Sequence, residues 1–150
     1  LVTFRDCEKI HALEALLRLG KRGSITDNIS AGGIGIPIDL EAKVLGKGTT
    51  MGTADLPLSI NSFEPGGREF VGMSVPFLEE AIDLGKKVHE SFPEIFSLGH
   101  DIAILPDGPV IMETNHIWGD NQETFDVGHG SYTRFAESIL DIARTKNWLQ

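Results

Sequence analysis

Cysteine is almost absent. Cys7 is the single thiol among 150 residues, so no internal disulfide and no thiolate metal site can be built. Basic residues are scarce, 13 against 22 acidic for a net charge of −9, and they do not cluster. A field of that sign repels nucleic-acid phosphates and anionic lipid, so neither nucleic acid nor a membrane surface is expected as a partner. No apolar run approaches the ~18 residues of a spanning helix, and the cytoplasm is the expected address. Repeats, low-complexity tracts and Pro/Ser-rich linkers are missing, so residues 1–150 read as one domain. The dispersed histidines form no His-x-x-x-His array, and zinc hydrolysis is not expected.

What is present is globular: 41% hydrophobic and 23% charged residues, with apolar stretches long enough to build a core. The acidic surplus fits a solvated surface, and a local carboxylate cluster holding a cation would hide inside the same number. Leu1-Val2-Thr3-Phe4-Arg5 reads as a strand already under way, which suggests a fragment of a longer protein.

Along the chain, Leu1 to Phe4 and Ile10 to Leu19 look extended, although Leu13, Leu16 and Leu17 would also suit a helix. Gly20 to Gly33 is a polar, glycine-rich loop longer than most plain connections, and therefore a place for function. Ile34, Ile36 and Ile38 alternate with Gly35 and Pro37, and the run into Lys43-Val44-Leu45 suggests a hairpin. Residues 46–72, rich in Gly, Thr, Ser and Asn, read as irregular. Pro76 suits the first position of a helix carrying Phe77, Ala81, Leu84 and Val88, with Lys86, Lys87 and His89 near its end where cations suit the dipole. Pro93 stops it. A second helix is predicted from Ser131, its cap, with Phe135, Ala136, Ile139, Leu140 and Ala143 on one face.

Between the helices lies a run from Gly99 to Asn115 centred on Pro106-Asp107-Gly108, a strong hairpin signal. A three-residue loop there pairs Leu105 with Pro109, and opposed residues then sum to 214. Asp101 falls across from Glu113, and Asn115, two residues on, projects from the same face. A two-residue turn on Asp107-Gly108 would shift the register and turn Asp101 to the other face. Opposed carboxylates repel, and a cation between them resolves the repulsion. Two acids and an amide are oxygen donors of the kind Mg²⁺ prefers. A solvated sheet face carrying the same residues is the plain alternative. A retaining glycosidase would also want two carboxylates ~5 Å apart, so the pattern leaves the reaction open.

Leu98-Gly99-His100-Asp101-Ile102-Ala103, Asp107-Gly108-Pro109-Val110 and Glu113-Thr114-Asn115 resemble the metal-binding end of ATP-grasp enzymes. Leu17-Arg18-Leu19-Gly20 through Asp27-Asn28-Ile29-Ser30-Ala31-Gly32-Gly33 is similar to the upstream loop of the sugar-transfer associated branch of that family. The resemblance implies an α+β fold: an antiparallel sheet with helices packed on one face, forming the C-terminal subdomain of an ATP-grasp fold. It implies an ATP- and Mg²⁺-dependent ligase that activates a carboxylate through an acyl phosphate, with a small-molecule carboxylate and a nucleophile as substrates. Asp101, Glu113 and Asn115 would hold Mg²⁺ against ATP. Arg18 would serve as the catalytic cation, the backbone N–H groups of Asn28, Gly32 and Gly33 would approach phosphate or acyl phosphate, and Lys21 and Arg22 would contact nucleotide phosphates.

Departures accompany the likeness. No residue range matches the family's earlier, lysine-bearing subdomain; His100 stands where the family often has Trp; and Asn61 stands where it often has His. A non-catalytic half that binds nucleotide or serves in a homodimer, and a carboxylate-pair hydrolase using Asp101 and Glu113, therefore stay open. His116 is a possible substrate residue, and Trp118 and Gln122 are expected to wall the site.

Overall fold

The computed structural model describes residues 1–6, 9–21, 23–27, 29–51, 57–63, 67–119 and 129–145. The chain is α+β, with eight strands in antiparallel pairings and two helices among the described residues. It divides into two compact units, the first comprising Leu1–Glu14, Pro76–Gly119 and the C-terminal helix, the second Ala15–Val75. No described helix is long and apolar enough to cross a membrane.

In the first unit, β1 (Val2–Arg5) pairs on one side with the start of β2 (Ile10–Leu19) and on the other with β7 (Ser97–Leu105). β8 (Gly108–Asn115) lies beyond β7. Val2, Thr3 and Phe4 are all buried, which on a strand means that both faces are covered. Two helices do the covering. Thr3 points to α1 (Leu78–Glu90), where it meets His89. Phe4 meets Phe135 of α2 (His129–Thr145) edge-on at 5.4 Å, and Phe135 also touches Phe96 and Trp118. Val2, Phe4 and Leu13 form the core there.

Both helices differ from expectation at their ends. Pro76 precedes α1, which starts at Leu78 with Phe77 as a left-handed N-cap (φ 55°) and no side-chain cap. The buried stripe is Leu78, Ala81, Ile82, Gly85 and His89. His89 is therefore not a solvated cation at the C-terminus. Arg5 takes that place, its Nη2 donating to the His89 carbonyl at 3.3 Å while its Nε is buried without a partner. α2 begins at His129, so Ser131 lies inside its first turn and not at the cap. Among its described side chains Ser138 and Ala143 are buried, whereas Ile139 and Leu140 are nearly half exposed.

The second unit is built from the end of β2, β3 (Ile34–Asp39), β4 (Val44–Leu45), β5 (Gly48–Met51) and β6 (Pro57–Ile60). The alternating isoleucines form a strand as expected, with Ile36 fully buried against Leu45 and Phe70. The expected hairpin onto β4 is present, pairing Ile38 with Leu45 and Asp39 with Val44. Its turn is held by Asp39 Oδ1, which accepts the N–H groups of Glu41 (2.9 Å) and Ala42 (2.8 Å). Residues 46–72 are not wholly irregular, since β5 and β6 pair from Gly48↔Ile60 to Met51↔Pro57. Gly48 belongs to a strand because the Phe70 ring fills the space beside it: a Cβ there would lie 2.9 Å from Phe70 Cζ.

Candidate functional site

The β7–β8 ribbon carries the acidic residues. Its turn is tighter than the sequence suggests. Leu105 pairs with Gly108, leaving Pro106 and Asp107 as a two-residue loop, and Gly108 adopts φ 134°, open to it for want of a Cβ. Opposed residues near the turn therefore sum to 213, down to Ile102↔Ile111. A bulge follows. Met112 is the extra residue on β8, and past it the pairing becomes Asp101↔Glu113, His100↔Thr114 and Gly99↔Asn115. The expected opposition of Asp101 and Glu113 is present, reached by a short turn plus a bulge and not by a three-residue loop.

Asp101, Glu113 and Asn115 are exposed, and Asn115 Nδ2 donates to Glu113 Oε1 at 2.6 Å. That bond uses the amide NH₂ group and leaves the amide oxygen as an acceptor. Beside them, Trp118 packs onto Gly99, where an added Cβ would lie 2.6 Å from Trp118 Cβ, and its Nε1 donates to Ser97 Oγ at 3.1 Å. The indole thus sits over Gly99, the residue that pairs with Asn115. His116 is exposed, and Gln122 lies outside the described residues. Among the described residues no three His, Cys, Asp or Glu side chains converge. The set here is two carboxylates and one amide, a donor chemistry that fits a hard divalent cation completed by other oxygens.

The opposite face of the same residues is buried and polar. Thr3 Oγ1 lies 2.7 Å from His89 Nδ1 and 2.8 Å from His100 Nε2. His100 Nδ1 lies 3.1 Å from Thr114 Oγ1, and His89 Nε2 lies 3.0 Å from the Ile95 carbonyl. That carbonyl can only accept, so His89 Nε2 donates and Nδ1 accepts from the Thr3 hydroxyl. The Thr3 oxygen then accepts from His100 Nε2, and His100 Nδ1 accepts from the Thr114 hydroxyl. Every ring nitrogen is satisfied with both imidazoles neutral. Burial pushes His89 below its ordinary value, against the raising effect of the Ile95 bond, and burial chiefly, with neighbouring positive charge, lowers His100 to about 4. In the sequence His89 has only a place near a helix end, and His100 stands out only as a departure from the family pattern. The register that opposes Asp101 to Glu113 also opposes His100 to Thr114, and that was the available signal.

The glycine-rich loop belongs to the second unit. Arg18 Nε contacts Asp27 Oδ2 at 3.0 Å, both partly exposed, so the proposed cation is tied to the far arm of its own loop. The Ser24 hydroxyl donates to the Thr26 carbonyl at 2.9 Å, and Gly20 approaches that same carbonyl where a Cβ would stand 2.6 Å away. The loop is folded on itself. Gly32 (φ 85°) closes a single 3-10 turn, Ile29–Ala31, by donating its N–H to the Ile29 carbonyl at 2.9 Å. The exposed Lys21 stem passes Gly32, its Cδ 3.5 Å from where a Cβ would be. The buried Gly33 accepts Thr50 Oγ1 at 2.9 Å through its carbonyl. Arg22 and Asn28 lie outside the described residues.

Comparison with known proteins gives one result. No curated protein and no solved structure matches the chain significantly. The family model described as sugar-transfer associated ATP-grasp matches residues 1–134. The chain therefore belongs to the sugar-transfer associated ATP-grasp family, a membership that carries ATP-dependent, ligase-like function at the level of the family.

Proposed function

We propose that this chain is the metal-binding, C-terminal portion of an ATP- and Mg²⁺-dependent ligase that activates a small-molecule carboxylate. The observation that carries the reading is the exposed pair Asp101–Glu113, opposed across the ribbon, with Asn115 bonded to Glu113. Asp101, Glu113 and the Asn115 amide oxygen would hold Mg²⁺, which when bound supplies neutralisation of the charge on the ATP phosphates. A substrate carboxylate oxygen attacks the γ-phosphorus, the bond to the bridging oxygen breaks, and ADP leaves. A nucleophile then attacks the acyl carbon of the resulting acyl phosphate, and inorganic phosphate departs. In the second unit, Arg18 and Lys21 would serve as anion-binding side chains; Arg18 would first exchange Asp27 for an anionic ligand, since one guanidinium fork serves either anion. Trp118 would exclude water from the side next to Asn115.

Calorimetry with Mg²⁺–ATP tests this on the intact chain and on Glu113→Gln. Binding heat in the parent and a tenfold or greater loss in the variant, with thermal stability kept, is the expected result. Collapse of stability with an unchanged metal response would remove Glu113 from the site. A silent titration at millimolar nucleotide would favour a non-catalytic module, and ATP-independent glycoside turnover would favour the carboxylate-pair hydrolase.

A further inference from the structure

Past the bulge at Met112, the register of β8 on β7 changes by one residue, and the acidic pair exists only on the far side of that change. His100↔Thr114 is the neighbouring cross-strand couple, sandwiched between Asp101↔Glu113 and Gly99↔Asn115 but facing inward. Their side chains bond to one another, and His100 is continued through Thr3 of β1 to His89 of α1 and the Ile95 carbonyl. His89, His100 and Thr3 are fully buried, at 0–2% exposure. The Ile95 carbonyl sets the direction of each bond, and a slipped strand would leave an imidazole nitrogen without a partner and without water.

We infer that Thr114, His100, Thr3 and His89 form a positioning relay that locks the bulged register of β8, and so holds Asp101, Glu113 and Asn115 in their shared arrangement. The inference rests on the proposed reading of those three side chains as metal ligands. It adds residues on three other parts of the unit that act on the site without touching it. Thr114 is the joint. Its backbone lies between Glu113 and Asn115, and its hydroxyl is the donor at one end of the relay. Slippage by one residue would set Asp101 opposite Met112 and turn both Glu113 and Asn115 to the other face.

The test compares Thr114→Val, which keeps the shape and removes the hydroxyl, with Thr114→Ser, which restores it, and with Leu78→Ala, which weakens the same unit from the α1 core. Mg²⁺–ATP affinity is read by calorimetry below each protein's melting point, and the Asp101–Glu113 cross-strand contact by nuclear Overhauser effects. Thr114→Val is expected to lose that contact and 10- to 100-fold in affinity, as for other residues that orient metal ligands. Thr114→Ser should keep both, and Leu78→Ala should lower the melting point and leave both unchanged. Retention of contact and affinity in Thr114→Val, or an equal loss in Leu78→Ala, overturns the relay. If the parent binds no Mg²⁺–ATP, the metal reading fails, and the cross-strand contact alone decides the positioning role. Should Thr114→Val not fold, the parent's imidazole ¹⁵N signals decide: both histidines should carry the proton on Nε2, and an Nδ1 proton on either one breaks the relay.

Discussion

A buried histidine is a pH sensor whether or not it serves chemistry. His89 and His100 are both held below the ordinary imidazole value of 6.5, His100 at about 4, chiefly by burial. In the unfolded chain each takes a proton as pH falls through about 6.5, while the folded chain resists. The unfolded state therefore binds more protons across that window, so stability rises with pH from about 4 to 6.5 and is fully present above it. Urea midpoints at pH 4.5, 5.5 and 7 should climb in that order; a flat series would mean that the imidazoles are solvated or already charged. Gly99 makes a second case. A methyl group there meets Trp118 Cβ at 2.6 Å, so Gly99→Ala should cost about 1–3 kcal/mol and red-shift the Trp118 emission as the indole is pushed off its seat. Unchanged emission and melting point would contradict the packing. Neither effect was legible in the sequence. Thr3 and His89 are 86 positions apart, and no local pattern marks a Gly as a seat for an indole.

At the scale of elements, legibility followed periodicity. The alternation of Ile34, Ile36 and Ile38 specified β3, and the spacing around Ala81 specified α1 to within two residues. β5 and β6 escaped because their Gly, Thr and Ser residues resemble a loop in composition, while the reason for Gly48 is a phenylalanine ring 22 positions away. The β7–β8 ribbon is the instructive case. Counting from a three-residue turn reached the right opposition of Asp101 and Glu113, yet the turn has two residues and Met112 restores the count. Turn chemistry narrowed the options, and only the bulge fixed the outcome. The β3–β4 turn allows a quantitative check. Asp39 accepts two backbone N–H groups, so Asp39→Ala should destabilise by about 1 kcal/mol. Lys43 sits at φ 61°, so Lys43→Gly should stabilise by about 0.5–1 kcal/mol, the strain relieved less the added freedom of glycine. Denaturant melts of the two variants should move in opposite directions; movement in the same direction would refute the turn geometry.

Over the whole molecule, a net charge of −9 makes a polyanion such as ATP an unfavourable guest. A divalent ion at Asp101, Glu113 and Asn115 would remove that obstacle locally. Fold class and family were legible because the relevant motifs keep their order over most of the chain. The arrangement of the donors was legible only as far as strand register could be counted. The most direct measurement is a nuclear magnetic resonance titration with substoichiometric Mn²⁺–ATP, whose unpaired electrons broaden nearby signals. The amides of Asp101, Glu113 and Asn115 should broaden first and recover when excess Mg²⁺ displaces the paramagnetic ion. Broadening centred elsewhere, or none at these three residues at saturating Mn²⁺–ATP, would contradict a divalent ion held by this ribbon.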